Sequence, residues 1–389
     1  MRYPKLILDV QHRISGLLNA DGNLYLKLTD EGYEDLCHNS AYRNMTKESV
    51  EKKLLLPQWQ GIKDVSIVFT HSKNSKFLSL IITALTNEGG VKVHALQIDR
   101  ENGREYTISL TELTGLKNIK SMHSAPGNLT GLNSHYASMV SSFGFLMQDG
   151  SAKFVFVRTL SDLSFKTYVY DMVGEFLDFY YIPGSAYYSG HWRINIVVLL
   201  KNGDIDSYGA DEISYTDDWT SAIRSKLKKL SSVSTGIENA ISLWNAGYLG
   251  SGDSVMHANI GVVTADGKMM YFDLYAKELL YTEDNFVCGL NHYNTIVQYY
   301  LNSKGDVIRA GRGDIKEGAM KGIPLKCYHS TIFDSATIVY VDAQGEIQKR
   351  IVAGSGDGHH IFNRFKDFSG IAKYESKGLL TSKSPVNLL

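Results

Sequence analysis

The 389-residue chain holds only three cysteines, Cys37, Cys288 and Cys327, and they lie far apart. Three scattered thiols make neither a disulfide framework nor a CxxC metal motif, so the expectation is a protein made in a reducing compartment. Proline is scarce too, with six residues in all. Charge of one sign is missing: 40 Lys and Arg stand against 41 Asp and Glu, for a formal charge of −1. A generic nucleic-acid binder carries a basic excess, so that class is set aside. No apolar run approaches the roughly 20 residues that a membrane-spanning helix needs. The opening residues, MRYPKLILDVQHR, contain no apolar signal core and no small-residue cleavage site, so no secretion signal is expected there.

Catalytic signatures are equally hard to find. There is no GxSxG elbow, no HExxH and no GxxxxGK[ST] loop in the chain. The expectation is a protein that is not an enzyme and carries no cofactor.

What the chain does have is glycine, tyrosine and a recurring pattern, with 35 Gly and 24 Tyr. Residues 195–209, NIVVLLKNGDIDSYG, read as a β-hairpin: an apolar run, an Asn202-Gly203 turn, and a short second strand. The pattern of an apolar run, a small polar residue with Gly, and a second run occurs seven times. The turns fall near Gly22, Gly90, Gly150, Gly203, Gly267, Gly305 and Gly345. Seven units average about 56 residues, a size that suits a four-stranded propeller blade with variable loops.

The expected fold is therefore all-β, a single β-propeller domain over residues 1–389. It would have seven blades of mostly four antiparallel strands. Open sheet edges invite aggregation, so the first and last blades need joining. Residues 5–10 and 371–380 are the candidates for a blade built from both ends of the chain. Two segments interrupt the pattern. Residues 31–60 are polar, with a helical turn expected near 46–53, and read as a loop insertion. Residues 217–245 place Trp219, Ile223, Leu227 and Leu230 at helical spacing after Asp217 and Asp218, which suit an N-cap.

The repeat at 195–209 resembles the repeats of RCC1-type seven-bladed propellers, and residues 262–272 and 145–157 match that pattern in part. Residues 227–243 resemble the lead-in strand of such a repeat, which competes with the helix expected there. The resemblance implies the architecture and does not imply nucleotide exchange. The boxes of sialidase, WD and kelch propellers are absent. In composition the chain also resembles the tail and nozzle propellers of tailed bacteriophages, being rich in Tyr and poor in Pro.

Candidate site residues are few. Tyr180, Tyr181, Tyr187, Tyr188, His191 and Trp192 form an aromatic stretch read as an interaction loop for a neighbouring subunit or a glycan. Gly354 to His360 reads as an inter-strand loop before it reads as an anion or metal site, and Cys327 and His329 lack further ligand partners in sequence. Arg312-Gly313-Asp314, and the Asn44 and Asn128 sequons, have no use without secretion. Asp204, Asp206 and Lys226 to Lys229 read as solvated faces. The functional expectation is a structural or docking propeller in a large assembly, a phage virion tail foremost and the cytoplasm otherwise. A glycan- or receptor-binding module, and a propeller glycosidase or lyase, are the alternatives.

Overall fold

The computed structural model describes residues 4–9, 13–38, 41–55, 59–70, 77–124, 140–159, 165–185, 191–214, 219–244, 259–274, 276–289, 299–302, 307–309, 315–316, 322–330, 335–342, 344–353 and 359–372. Among the described residues, strands follow one another into seven antiparallel sheets, each a simple meander. Sheet 1 is Lys5–Leu8, Ile14–Leu18 and Leu24–Leu28 (β1 to β3). Helices α1 (Asp30–Cys37) and α2 (Lys47–Leu54) follow it. Sheet 2 is Ile62–Thr70, Phe77–Thr86, Val91–Asp99 and Glu105–Thr107 (β4 to β7), followed by the short helix α3 (Thr111–Thr114). Sheet 3 is Ile119–Ser124, Val140–Met147, Ala152–Thr159 and Phe165–Met172 (β8 to β11). Sheet 4 is Phe176–Ser185, His191–Leu200, Ile205–Ser214 and Lys228–Val233 (β12 to β15), with α4 (Trp219–Lys226) before its last strand. Sheet 5 is Ala240–Trp244, Asn259–Thr264, Met269–Asp273 and Glu278–Glu283 (β16 to β19). Sheet 6 is Phe286–Gly289, Tyr299–Asn302, Val307–Arg309 and Ile315–Lys316 (β20 to β23). Sheet 7 is Gly322–Ser330, Ser335–Asp342 and Ile347–Ala353 (β24 to β26), and α5 (His359–Phe365) runs into a 3-10 turn, Lys366–Phe368.

Each repeat glycine described sits in the same place, between the second and third strands of its sheet. Gly22, Gly150, Gly203, Gly267 and Gly345 have φ of 81°, 87°, 87°, 84° and 85°. In sheet 2 the left-handed residue is Gly89 (φ 77°), one position before the glycine expected from sequence. Gly305 lies outside the described residues. The turn is one residue longer than the two-residue loop expected at Asn202-Gly203. Leu200 O accepts from Gly203 N at 2.9 Å, and Leu200 N donates to Asp204 O at 2.8 Å. Asn202 is not among the described non-glycine residues with positive φ. This is a three-residue loop in which only the glycine is left-handed. Asn202 serves differently: its side-chain oxygen accepts from Asp204 N at 3.1 Å.

The turns also hold the sheets to one another. The carbonyl of Gly22 accepts from Ile62 N, that of Gly89 from Ile119 N, Gly150 from Phe176 N, and Gly267 from Phe286 N, at 2.8–3.0 Å. Each donor opens the first strand of the next sheet, and its side chain is buried. In sheet 4 the Thr235 hydroxyl donates to Gly203 O at 2.7 Å instead. One residue after each donor, the first strand carries a β-bulge: the register shifts between Ile62 and Asp64, Ile119 and Ser121, Phe176 and Asp178, and Phe286 and Cys288.

Alternation explains the apolar runs. Side chains of a strand point to opposite faces in turn. Ile196 and Val198 pack with Phe154, Phe156 and Phe179 toward sheet 3. Val197 and Leu199 pack with Leu243, Ile260 and Phe272 toward sheet 5. A sheet covered on both faces needs an unbroken apolar strand, which is what IVVLL is. Similar clusters join sheets 1 and 2 (Leu24, Leu80, Ile82), sheets 2 and 3 (Ile81, Leu85, Phe143), and sheets 5 and 6 (Trp244, Phe286, Tyr300). Leu6 and Leu17 of sheet 1 pack with Val339, Val341 and Ile347 of sheet 7. Consecutive meander sheets, packed face to face from sheet 1 through sheet 6 and from sheet 7 back onto sheet 1, are the architecture of a β-propeller.

Several expectations change in detail. Residues 31–60 form two helices, not a loop with one turn. Thr29 and Thr46 cap them, accepting from Gly32 N and Ser49 N. Residues 217–245 satisfy both competing readings in sequence: the helix stops at Lys226, and the lead-in strand starts at Lys228. Leu230 is therefore on a strand, not a helix. Sheet 1 contains only N-terminal strands among the described residues. Ile371 and Ala372 lie at a turn, and the rest of the expected closing segment, 373–380, lies outside the described residues.

Candidate functional site

The aromatic stretch 180–192 is mostly strand. Tyr180 and Tyr181 lie on β12, and His191 and Trp192 on β13, with Ser185 paired to Trp192. Tyr180 is half-buried and packs on the cluster between sheets 4 and 5. Tyr187 and Tyr188, and the side chains of Tyr181, His191 and Trp192, lie outside the described residues. The other motifs disperse as well. Arg312 to Asp314, Asn128 and residues 354–358 are outside the described residues, while His359 and His360 begin α5. Asp206 is not solvated: it is 4% exposed, accepts from Ser232 Oγ at 2.5 Å, and pairs with Lys229 Nζ at 2.7 Å. The bond to Asp206 raises the Lys229 ammonium pKa. Among the described residues no group of three or more His, Cys, Asp or Glu is placed to hold a metal ion.

The first strands come together. β1 touches β4, β4 touches β8, β8 touches β12, β12 touches β16, and β24 touches β1. Polar side chains pass from one to the next. Lys5 Nζ pairs with Asp64 at 2.7 Å. Lys63 Nζ donates to Lys120 O, and Lys120 Nζ to Leu177 O at 3.1 Å. Asp178 is 7% exposed and spans three sheets. It meets His123 Nε2 at 3.2 Å and accepts from Phe179 N and Leu243 N, each at 2.9 Å. His123 also meets the Phe179 ring edge-on, with centroids 4.6 Å apart. Among the described residues each contact of Asp178 is with the frame itself, and this carboxylate joins sheets.

A cavity of about 220 Å³ lies where sheet 1 ends. Leu24, Tyr25, Leu26 and Lys27 of β3 form one wall; Leu55, Trp59, Ile82, His94, Phe368 and Ile371 complete it. The walls come from sheet 1, sheet 2, the end of α2 and the turn after α5. His94 is buried, with Nε2 2.9 Å from Leu54 O, and a carbonyl only accepts, so Nε2 carries the hydrogen. Lys27 Nζ stands 5.8 Å from the Phe368 ring centroid and 3.8 Å from Asp367. Nearby, Glu51 accepts from Leu28 N at 2.9 Å. Burial pushes the Glu51 carboxyl above its ordinary range, against the pull of that bond, Lys47 and Lys27. Sequence reasoning missed this site. Tyr25, Trp59, His94 and Phe368 share no motif, and Trp59 falls in a segment read as an insertion.

A different surface lies on the outer strands. Leu230 on β15 is 54% exposed, and Leu279 and Leu280 on β19 are 45% and 41% exposed. The hydroxyl of Ser231, next to Leu230, donates to Leu274 O at 2.9 Å, which ties β15 to the end of β18 in sheet 5.

No family model matches the chain, and no curated protein matches it in sequence. Solved structures of similar fold include Saccharomyces cerevisiae Sqt1, with 10% identity and a TM-score of 0.45 over 86% of this chain and 80% of that one. BBS1N in complex with ARL6DN is similar at 8% identity and a TM-score of 0.45, over 92% of this chain and 94% of that one. The β-propeller domain of Myceliophteria thermophila Cps50 (Swd1) is similar at 9% identity and a TM-score of 0.39, over 86% and 93%. With TM-scores below 0.5 these likenesses carry no argument for this chain, whose fold rests on its own sheets.

Proposed function

We propose that this chain is a non-enzymatic docking propeller: a closed ring of seven blades that holds neighbouring protein subunits in a large assembly, a phage virion tail foremost. The observation that carries the reading is the apolar outer edge of sheets 4 and 5. Leu230, Leu279 and Leu280 are large, exposed, and carried on the outer strands β15 and β19 of two successive sheets. Large apolar side chains left exposed on the outer strand of a sheet are available to a partner surface. The frame beneath is suited to the role, since sheets 1, 2, 3 and 5 are each pinned to the next by a turn glycine. The packing of sheet 1 on sheet 7 supports closure of the ring. The Tyr-rich, Pro-poor composition supports the virion assignment. The carboxylates of Asp64, Asp178 and Asp206 are each bound within the frame, which supports a structural use rather than a catalytic one.

The test is size-exclusion chromatography with light scattering on the purified chain, alone and mixed with lysate from its source. The reading expects a monomer alone that shifts into a large particle on mixing. A chain that stays monomeric in the mixture overturns it.

A further inference from the structure

In sheets 1, 2, 3 and 5 the turn-glycine carbonyl accepts the N–H that opens the next sheet. Sheet 7 departs from this. Gly345 O accepts from Gly370 N at 2.8 Å, and Gly370 belongs to the turn after α5, not to sheet 1. Residues 359–372 thus hold the seat against sheet 7 that an opening strand holds elsewhere. Ile347 N of β26 donates to Ser369 Oγ at 3.0 Å, and Lys349 Nζ stands 5.4 Å from the Phe362 ring centroid. The same segment also reaches sheet 1. Phe365, Phe368 and Ala372 are buried in one cluster with Leu6 and Leu17 of sheet 1 and Val339, Val341 and Ile347 of sheet 7. Phe362, Phe365 and Phe368 recur every three residues through a helix and a 3-10 turn, which brings them near one side. Lys27 of β3 meets Asp367 at 3.8 Å, and Arg364 meets Glu31 of α1 at 2.7 Å.

We propose that residues 359–372 are a detachable clip that holds the ring closed between sheets 7 and 1. Its release opens that seam while the other sheets stay folded. This rests on the closed-ring part of the reading above and names the element that does the closing. Successive sheets are joined by a short stretch of chain, but sheets 1 and 7 lie far apart in sequence and have no such link. Their junction therefore depends on non-covalent contacts, and the clip makes contacts to both sides. On sheet 7 it is held by one backbone bond and one hydroxyl. On sheet 1 it is held by apolar packing and, with α1, by two ion pairs. A small unit with few buried side chains is the kind of element that opens locally, below the free energy of global unfolding. The closure expected from sequence, a blade shared by strands from both ends, is replaced by a helix and turn wedged between two three-stranded sheets.

The experiment compares amide hydrogen exchange in the full chain with that in Phe368→Ala, in Ser369→Ala and in a chain ending at Ala372. Phe368→Ala removes a buried ring of the clip. Ser369→Ala removes only the acceptor of Ile347 N, and it decides the matter should Phe368→Ala not fold. In Phe368→Ala, exchange over β1, β2, β25 and β26 should be faster by roughly tenfold or more. In Ser369→Ala the same strands should exchange about two- to tenfold faster. Sheets 3 to 5 should be unchanged in both, and the chain ending at Ala372 should match the parent. Acceleration spread evenly over all seven sheets overturns the inference, because the segment is then ordinary core. Unchanged exchange over β1, β2, β25 and β26 overturns it as well. A chain ending at Ala372 that exchanges as fast at the seam as Phe368→Ala also overturns it, by giving the closure to residues 373–389. Should the chain join its assembly while the seam does not respond, this inference falls and the docking reading stands. A responsive seam in a chain that joins no assembly removes the assembly reading alone.

Discussion

Arg364 Nη2 lies 2.7 Å from Glu31 Oε1, joining the helix that follows sheet 7 to the helix that follows sheet 1. Burial alone would push the Glu31 carboxyl up. The Arg364 bond and charge, with help from Thr29, carry it down to about 2. Its folded value is below its unfolded one, so the contribution is complete above about pH 4.5 and fades as pH falls toward 2. Glu31 is 41% exposed, so screening holds the pair to about 0.2–1 kcal/mol. Glu31→Gln should therefore lose a little stability at pH 7 and show a flatter acid limb than the parent between pH 4.5 and 2, read by urea denaturation across pH. An acid limb unchanged by the substitution would remove Glu31 from the acid response.

The turn glycines differ in what a side chain would meet. A Cβ on Gly203 would sit 1.8 Å from Ile237 O, at a φ of 87°. Gly236, at φ 66°, has nothing within 4 Å. Gly236→Ala should cost about 1–2 kcal/mol, the left-handed penalty alone. Gly203→Ala must add a backbone displacement and should cost more, about 3 kcal/mol or above. Equal denaturation midpoints for the two variants would refute the comparison.

Asp178 joins three sheets through acceptor contacts only. Asn at this position offers one acceptor oxygen and turns a donor toward groups that themselves donate. Asp178→Asn should destabilise by about 1–3 kcal/mol. The loss should be smaller in the His123→Phe background, because the two residues share a bond. A double-mutant cycle measures this, and strict additivity would show that the His123 contact contributes nothing.

Trp244 is fully buried between Phe286 and Tyr300, and its indole N–H has no hydrogen-bond partner among the described residues. Trp244→Phe removes an unsatisfied donor as well as apolar area, so its cost should stay within about 1.5 kcal/mol. Trp244→Ala opens a cavity and should cost about 3–5 kcal/mol. Calorimetry on both variants tests the ordering.

The outer edge makes the last prediction. Leu230→Glu and Leu280→Glu change exposed side chains, so thermal stability should move by no more than about 0.5 kcal/mol. Entry into the assembly should fall at least tenfold. A double variant that still enters the particle would place the contact elsewhere.

The sequence alone determined the frame. Apolar runs two strands long, broken by a small polar residue and Gly, set seven hairpins, because a left-handed turn position and a strand buried on both faces are local demands that residue type can meet. The helix and strand of residues 217–245 were both legible, and only their order within the segment was undecided. The tertiary structure decided everything that depends on which sheets become neighbours. It buried Asp206, which alternation alone placed in solvent, because β15 brought Ser232 and Lys229 to it. It made Asp178 a joint between three sheets. It also assembled a cavity from Tyr25, Trp59, His94 and Phe368, residues spread over most of the chain that meet because sheets 1 and 2 pack together and the turn after α5 lands on β3. No spacing in the sequence encodes such a meeting. It follows from packing of distant segments, a relation that becomes visible only once the sheets are in place.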